Sequence, residues 1–297
     1  MAIEGNVSLA DGRTMTFAQF GTLEGNPVFY FHGTLSSRLE PLLIGDETFA
    51  RCGLRIIAPD RPGMGRSSFQ PHRNVSHWPV DVAALADALG IGTFSVLGYS
   101  GGGAYAAACA ARIAERLRNV VIVSGAWRLD APHTLAAMPW INRFTWALAK
   151  WAPLLLPAWI KGMSSSMHGD LAQLKHYLQP ADYDAFENAG RYEAFGYALR
   201  ESLRQGARGA VWDMRMHVHP LGIRLQDIGI PVHVFHGAKD LNVPIALVRE
   251  TLAGLPTAEL VVYPYDAHLS TLCNHFEEIA AALLRDRPGT DAHCLPP

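Results

Sequence analysis

The feature that constrains the fold most is a series of short, uninterrupted apolar segments that alternate with helical patterns. Such segments are typical of strands buried on both faces, as in a parallel sheet covered by helices. Between them lie an amphipathic stretch, Val80–Leu89, and an Ala-rich stretch, Gly101–Ile113. The alternation predicts a doubly wound α/β sheet. The first four segments are Pro27–Phe31, Leu54–Ala58, Phe94–Leu97 and Val120–Val123.

The chain begins and ends with further elements. Val7–Leu9 and Thr14–Phe20 flank an Asp-Gly pair, which predicts an N-terminal hairpin. The alternation of strand and helix resumes at Pro231–Phe235 and Leu260–Tyr263, and a single closing helix is expected over Leu269–Arg285. The Pro-rich tail beyond that helix is expected to fray.

A long insertion separates the two parts of the alternation. Residues 125–230 contain no clear buried strand and all but one of the seven tryptophans. A crossover helix needs a unit of only about 30 residues, so most of this segment is additional. We expect an α/β core formed by 1–124 and 231–297, and a mostly helical cap formed by 125–230.

Charge and composition exclude several classes of protein. The formal net charge is −2 and the isoelectric point is near 6.7, so no nucleic-acid partner is expected. The four cysteines are widely spaced, which favours a reducing, cytoplasmic location. We expect no signal peptide and no membrane partner, because the most apolar run, Trp151–Ile160, is much shorter than the roughly 20 residues of a spanning helix.

Gly98-Tyr99-Ser100-Gly101-Gly102 follows a buried strand directly and precedes a helix. This is the context in which a G-x-S-x-G sequence presents a nucleophilic serine on a strained turn, with tiny residues two positions to either side. The alternatives are a Gly-rich turn with an incidental serine, or a phosphate loop, for which the required Gly and Lys pattern is missing. The sequence predicts Ser100 as the nucleophile.

A serine nucleophile needs a base and a carboxylate that orients the base. In this type of fold the chain order is Ser, acid, His, with the acid after a late strand and the His after the next. Asp240 and His268 occupy those positions, and Asp130 and Asp266 are the rival acids. Lys239, beside Asp240, is expected to be solvated.

The loop after Pro27–Phe31 is predicted to complete the oxyanion hole. Thr34 and Gly101 are the candidate N–H donors to the substrate oxyanion, and Gly33 and Tyr99 are the candidate substrate contacts. The alternative is that His32-Gly33 only forms a turn at the end of the strand.

Three other groups are interpreted as structural. Asp60 and Arg61 are expected to pair or to cap nearby backbone. His217 and His219 are spaced like metal ligands, but no third ligand motif accompanies them, so no metal and no cofactor is expected.

These residues together resemble the α/β-hydrolase superfamily over nearly the whole chain. The resemblance implies an α/β-hydrolase fold: a mostly parallel eight-stranded sheet flanked by helices, with a helical cap over the active site. Epoxide hydrolases and haloalkane dehalogenases differ, because they have Asp at the position of Ser100. The matching motifs are HGT at 32–34, DRPGMGRSS at 60–68, GYSGG at 98–102, HGAKD at 236–240 and DAH at 266–268.

The expected activity is that of a carboxylesterase-like serine hydrolase acting on a small molecule. Trp, Leu, Met and Phe in the insertion favour a small to medium apolar ester, thioester or related carbonyl substrate, although a cap must bury such residues in any case. The alternatives are a cofactor-free lyase, a cyclase or a C–C bond hydrolase on the same fold, and a non-catalytic ligand-binding protein.

Overall fold

The structure is a computed structural model that describes residues 2–286 except 126, 128, 131–133, 167–170 and 189. Its centre is an eight-stranded sheet with the strand order β1-β2-β4-β3-β5-β6-β7-β8. The first two strands are antiparallel to their neighbours and the other pairs are parallel. The predicted mostly parallel α/β sheet is therefore confirmed. The strands are β1 Ile3–Ser8, β2 Thr14–Gly21, β3 Asn26–Phe31, β4 Leu54–Pro59, β5 Phe94–Tyr99, β6 Leu117–Val123, β7 Val232–Gly237 and β8 Ala258–Tyr263.

Helices flank both faces of this sheet. In the described part of the chain they are α1 Asp46–Arg51, α2 Trp78–Ala88, α3 Gly102–Arg112, α4 Trp140–Trp151, α5 Leu156–Ser166, α6 Leu171–Leu174, α7 Pro180–Glu187, α8 Arg191–Ser202, α9 Arg208–His217, α10 Ile245–Ala253, α11 His268–Asn274 and α12 Phe276–Leu283.

Both faces of the central strands of the sheet are buried, which explains their uninterrupted apolar segments. In β3, Phe29 and Phe31 belong to a core cluster with α2 and α3, whereas Val28 and Tyr30 belong to the cluster on the other face with α1 and α12. Alternate residues of a strand point to opposite faces. A strand covered by helices on both sides therefore lacks the alternation of apolar and polar residues that a half-exposed strand shows.

The closing helix differs from its prediction. One helix was expected over Leu269–Arg285, but α11 and α12 are separate and meet at His275. The ring of His275 stacks on Tyr263 and its Nε2 lies 2.9 Å from an oxygen of Asp266. These tertiary contacts favour a break that the helical pattern of the sequence does not predict. The predicted fraying tail lies almost entirely outside the described residues, as does Cys294.

The inserted segment lies between β6 and β7 and contributes α4–α9. Its described residues contain no strand. The described cysteines, Cys52, Cys109 and Cys273, are free thiols. No helix among the described residues combines the length and the apolar character needed to cross a bilayer.

Candidate active site

Ser100 lies on the sharp turn between β5 and α3. Its φ of +51° is one of four positive φ values of non-glycine residues in the described chain, and such backbone is strained. A β-carbon on Gly98 would lie 2.5 Å from the carbonyl oxygen of Gly102, and one on Gly102 would overlap the carbonyl oxygen of Phe31. The turn therefore requires glycine on both sides of the serine, as the motif implies.

Three sequence-predicted side chains meet at the carboxyl ends of the parallel strands. His268 Nε2 lies 2.9 Å from Ser100 Oγ, and His268 Nδ1 lies 2.8 Å from an oxygen of Asp240. Each residue comes from a different loop, after β5, β7 and β8 respectively. The contacts form one continuous chain of hydrogen bonds from hydroxyl to imidazole to carboxylate.

The electrostatic surroundings of His268 suit a general base. Burial alone would lower the pKa of His268, but the charge of Asp240 and its hydrogen bond outweigh burial and raise the pKa above its ordinary value. The other oxygen of Asp240 accepts the backbone N–H groups of Asn242 and Val243 at 2.8 and 2.9 Å. Asp240 is thereby held in one orientation toward the imidazole.

The two candidate oxyanion donors lie side by side. A β-carbon on Gly101 would be 3.1 Å from the backbone nitrogen of Thr34. Within the part of the chain that the structure describes, neither of these N–H groups donates to another residue. By contrast, the N–H of Gly33 donates to Glu40. Thr34 and Gly101 therefore have free donors beside Ser100, and Gly33 does not.

A cavity of about 220 Å³ opens onto Ser100 and His268. Gly33 and Tyr99, the two predicted substrate contacts, line it, and the hydroxyl of Tyr99 also donates to the carbonyl of His268 at 3.4 Å. Both the core and the insertion contribute to the wall. The residues from the insertion are Leu129, Asn142, Thr145, Trp146, Met163, Phe195 and Met214.

Glu40 is a cavity residue that the sequence analysis missed. It is buried, and one carboxyl oxygen accepts the N–H of Gly33 at 2.8 Å and the hydroxyl of Tyr30 at 3.0 Å. Burial raises its pKa to about 7, although these hydrogen bonds oppose the shift. A β-carbon added to Gly33 would lie 3.2 Å from the other carboxyl oxygen of Glu40 and 3.4 Å from Ser100 Cβ. A titratable carboxyl group therefore lies near Ser100 in the same cavity.

The insertion also holds the backbone at His268. From α7, one oxygen of Asp182 accepts the N–H of His268 at 3.1 Å, and the other accepts the N–H groups of Leu269 and Ser270, each at 2.9 Å. These are the first residues of α11, whose N–H groups have no partner within the helix. Burial raises the pKa of Asp182. Asp182 thus fixes the backbone that presents His268.

A second buried network joins the insertion to the oxyanion region. Asp213, on α9, accepts two bonds from the guanidinium of Arg61 and one from the hydroxyl of Tyr105. Burial would raise the pKa of Asp213, but the Arg61 charge lowers it well below its usual range. Arg61 in turn donates to the carbonyls of His32 and Gly33. The loop that presents Thr34 is therefore fastened to the insertion.

The remaining candidates have other surroundings. His217 Nε2 contacts the carbonyl of Gly101 at 2.9 Å and its Nδ1 contacts the carbonyl of Asp213, whereas His219 contacts the carbonyl of Arg215. The two histidines do not converge on one point.

The rival acids lie away from the imidazole of His268. Asp266 binds Asn274 and His275, and Asp130 is next to a separate cavity. Lys239 is exposed. Asp60 pairs with Arg38 and not with Arg61, so each member of that dipeptide has a partner from a distant segment.

The missed residues differ in how visible they are in sequence. Glu40 is a single charge within an apolar run, Leu39 to Leu43, and that pattern could have indicated a buried carboxyl group. Asp182 and Asp213 lie on helices with mixed surfaces and have no motif around them. Their roles depend on partners that are far away in sequence.

Comparison with known proteins identifies the fold and its relatives. The family model of the α/β-hydrolase fold matches residues 26–156. A non-heme haloperoxidase of Rhodococcus erythropolis is 26% identical over 279 residues, which cover 88% of this chain and 92% of that protein. A bifunctional esterase/perhydrolase of Acinetobacter calcoaceticus is 24% identical over 278 residues, which cover 89% and 92%. A carboxylesterase structure from Nitrososphaera gargenis superposes with a TM-score of 0.70 at 17% identity and covers 94% of this chain and 97% of that one.

Proposed function

Because this chain has the α/β-hydrolase fold, whose family model matches residues 26–156, we propose that it is a serine hydrolase that cleaves a small to medium, apolar ester or thioester through an acyl-enzyme. The observation that carries the proposal is the continuous hydrogen-bonded chain Ser100 Oγ, His268 and Asp240. Residues 125–230 would act as the cap that closes the substrate cavity. The cytoplasmic location expected from the sequence stays a prediction.

In the acylation step, His268 Nε2 takes the proton of Ser100 as Oγ forms a bond to the substrate carbonyl carbon. The electron pair of the carbonyl moves to its oxygen, which accepts the N–H groups of Thr34 and Gly101. Asp240 stabilises the imidazolium. When the intermediate collapses, the bond to the leaving oxygen or sulfur breaks and His268 returns its proton to that atom.

In the deacylation step, a water molecule loses a proton to His268 and attacks the acyl-Ser100 carbonyl. Collapse of this second intermediate releases the acid and restores the hydroxyl of Ser100. The same two N–H groups serve both oxyanions, so the binding site for the carbonyl oxygen is used twice.

The cavity lining supports an uncharged substrate. Leu129, Trp146, Met163 and Met214 supply apolar wall, and Asn142 and Asn242, joined by a 2.9 Å hydrogen bond, supply the polar part. No Lys or Arg is among the described residues that line the cavity, and Glu40 is its buried carboxyl. An anionic substrate would find no counter-charge there.

The test combines turnover with covalent labelling. p-Nitrophenyl esters of increasing acyl length should be hydrolysed, with short and medium chains preferred, and Ser100→Ala should lower kcat by about 10⁴-fold or more. A fluorophosphonate probe should label Ser100, and His268→Ala should abolish the labelling. Ser165→Ala, at an exposed serine of α5, is the matched control and should label normally. Unchanged turnover in the Ser100→Ala variant would overturn the proposal.

Product analysis separates the lyase and cyclase alternatives from hydrolysis. An acyl-enzyme hydrolase releases an acid that contains one oxygen atom from labelled water, whereas a lyase or cyclase product contains none. Hydrogen peroxide is included as a competing acyl acceptor because one relative is named an esterase/perhydrolase. A protein that binds substrates without turnover and resists the probe would be a non-catalytic ligand-binding member.

A further inference from the structure

The hairpin formed by α4 and α5 (residues 140–166, the α4–α5 hairpin) exposes an apolar stripe. Trp140, Phe144 and Trp151 are spaced by four and seven residues along α4, which places them on one helical face. Trp140 is 71% exposed and Trp151 is 77% exposed. Between the two helices, Leu154 is 92% exposed and Leu155 is also exposed. The stripe therefore continues from α4 to the tip of the hairpin.

The opposite face of α4 is used inside the molecule. Thr145 and Ala149 are buried, and Asn142 and Trp146 line the substrate cavity. One face thus accounts for the packing of the helix on the rest of the protein. Within the stripe, Phe144 contacts Trp159 of α5, with 4.8 Å between the ring centres, whereas Trp140, Trp151 and Leu154 stay largely exposed. Water-exposed tryptophans and leucines in a continuous patch are costly for a protein that does not use them for contact.

The charged residues of the α4–α5 hairpin itself all have one sign. Arg143 and Lys150 follow one side of it, and Lys161 is exposed on α5. The ammonium of Lys150 lies 5.4 Å from the ring centre of Trp151. Between Asp130 and Asp170 the sequence contains no acidic residue. Lys150 also donates to the backbone carbonyl of Asp130 at 3.3 Å, but the charges that the hairpin itself contributes beside its apolar side chains are all positive.

We propose that the α4–α5 hairpin docks on an anionic lipid surface. Tryptophan and leucine side chains enter the boundary between headgroups and acyl chains, and flanking Lys and Arg bind the anionic headgroups. A second copy of this chain fits the same surface less well, because a symmetric contact would bring the three basic residues against an identical basic set. Charge complementarity thus selects the lipid.

Docking in this orientation places the substrate cavity close to the lipid, since the hairpin forms part of its wall. The interaction is peripheral. It departs from the sequence expectation of no membrane partner, which rested on the length needed for spanning. Peripheral contact requires exposed apolar side chains and charge at one surface, and it does not require a helix long enough to span the bilayer. The proposal is independent of turnover.

Cosedimentation with vesicles tests the proposal. Wild-type protein should bind vesicles that contain about 30% phosphatidylglycerol more tightly than pure phosphatidylcholine vesicles. The double variant Trp151→Ser/Leu154→Ser should lower binding to both by about tenfold or more. Arg143→Ser/Lys161→Ser should lower binding to the anionic vesicles by about fivefold per charge and should change binding to phosphatidylcholine little.

Leu23→Ser is the matched control, because Leu23 is also an exposed leucine but precedes the amino end of β3, at the opposite end of the parallel strands from Ser100. It should leave binding unchanged. The melting temperature and hydrolysis of a water-soluble ester should be the same in all variants, since none of these residues lines the cavity. Absence of vesicle binding by the wild type, or equal binding by Trp151→Ser/Leu154→Ser, would overturn the proposal. A dimer in light scattering that this double variant converts to monomer would overturn it in favour of a second copy.

Discussion

The loops at the carboxyl ends of the core strands and the inserted segment contribute to the same site in different ways. The core loops supply Ser100, Asp240 and His268, whose side chains contact one another within 2.9 Å. The insertion supplies Asp182 and Asp213, which bind the backbone or the neighbours of those loops. The side chains of the core loops are suited to catalysis, and the carboxylates of the insertion are suited to holding those loops in position.

This difference shows how a large insertion can be tied to an α/β core. An insertion that only covered the cavity could move freely on it. Here buried carboxylates of α7 and α9 are bonded to α11 and to Arg61. We therefore expect substitutions in the core loops to change rate with little change in stability, and substitutions of the insertion carboxylates to change stability first.

The largest effect is expected for Asp240→Asn. The amide keeps an acceptor for the N–H groups of Asn242 and Val243 but removes the charge that stabilises imidazolium, so kcat for a p-nitrophenyl ester should fall by about 10⁴-fold. The melting temperature should change little. Asp266→Asn, at the rival acid, is the matched control and should keep near wild-type kcat. A fall of less than tenfold for Asp240→Asn would contradict its assignment.

The next effect is expected for Asp213→Asn. It leaves the buried guanidinium of Arg61 without its carboxylate, which should lower the free energy of unfolding by about 3–5 kcal/mol. Urea denaturation measures this change. Asp227→Asn removes the partner of the exposed Arg224 and should leave stability nearly unchanged. Equal effects of the two variants would show that the insertion is not anchored through Asp213.

A smaller effect is expected for Asp182→Asn. The amide has a single oxygen for the three N–H groups at the start of α11, so the free energy of unfolding should fall by about 1–2 kcal/mol. Because His268 is the first residue of that helix, kcat should fall by about tenfold with little change in KM. Steady-state kinetics and urea denaturation measure the two effects. A loss of stability with unchanged kcat would limit Asp182 to a structural role.

The smallest effect is expected for Glu40→Gln, a core residue outside the motifs. The Glu40 carboxylate raises the pKa of His268, so its removal should shift the acidic limb of kcat/KM to lower pH. A uniform fall in kcat/KM with an unshifted limb would contradict this influence.

The same variant should change the pH dependence of stability. The pKa of about 7 for Glu40 is above that of an unfolded chain, so its contribution to stability is present at low pH and is lost as the pH rises through 7. The stability of the wild type relative to Glu40→Gln should therefore decrease between about pH 5 and pH 8. Thermal unfolding across this range measures the difference.

The sequence by itself determined the sheet and the positions that approach Ser100. Strands buried on both faces have uninterrupted apolar segments, and a serine on a strained turn requires Gly98 and Gly102 as neighbours, so both features are local. The predicted order of Ser100, Asp240 and His268 rests on which strand each residue follows. These signals lie within a few residues of the positions they identify.

Tertiary structure alone decided the contacts that join distant segments. Arg61 binds Asp213, 152 residues away, and Asp182 binds the start of α11, 86 residues away. The break at His275 and the near-neutral pKa of Glu40 likewise depend on neighbours brought close by folding. A hydrogen bond or a desolvation penalty depends on distance in space. No local pattern encodes that distance, which is why the carboxylates that hold the site together could not be identified from the sequence.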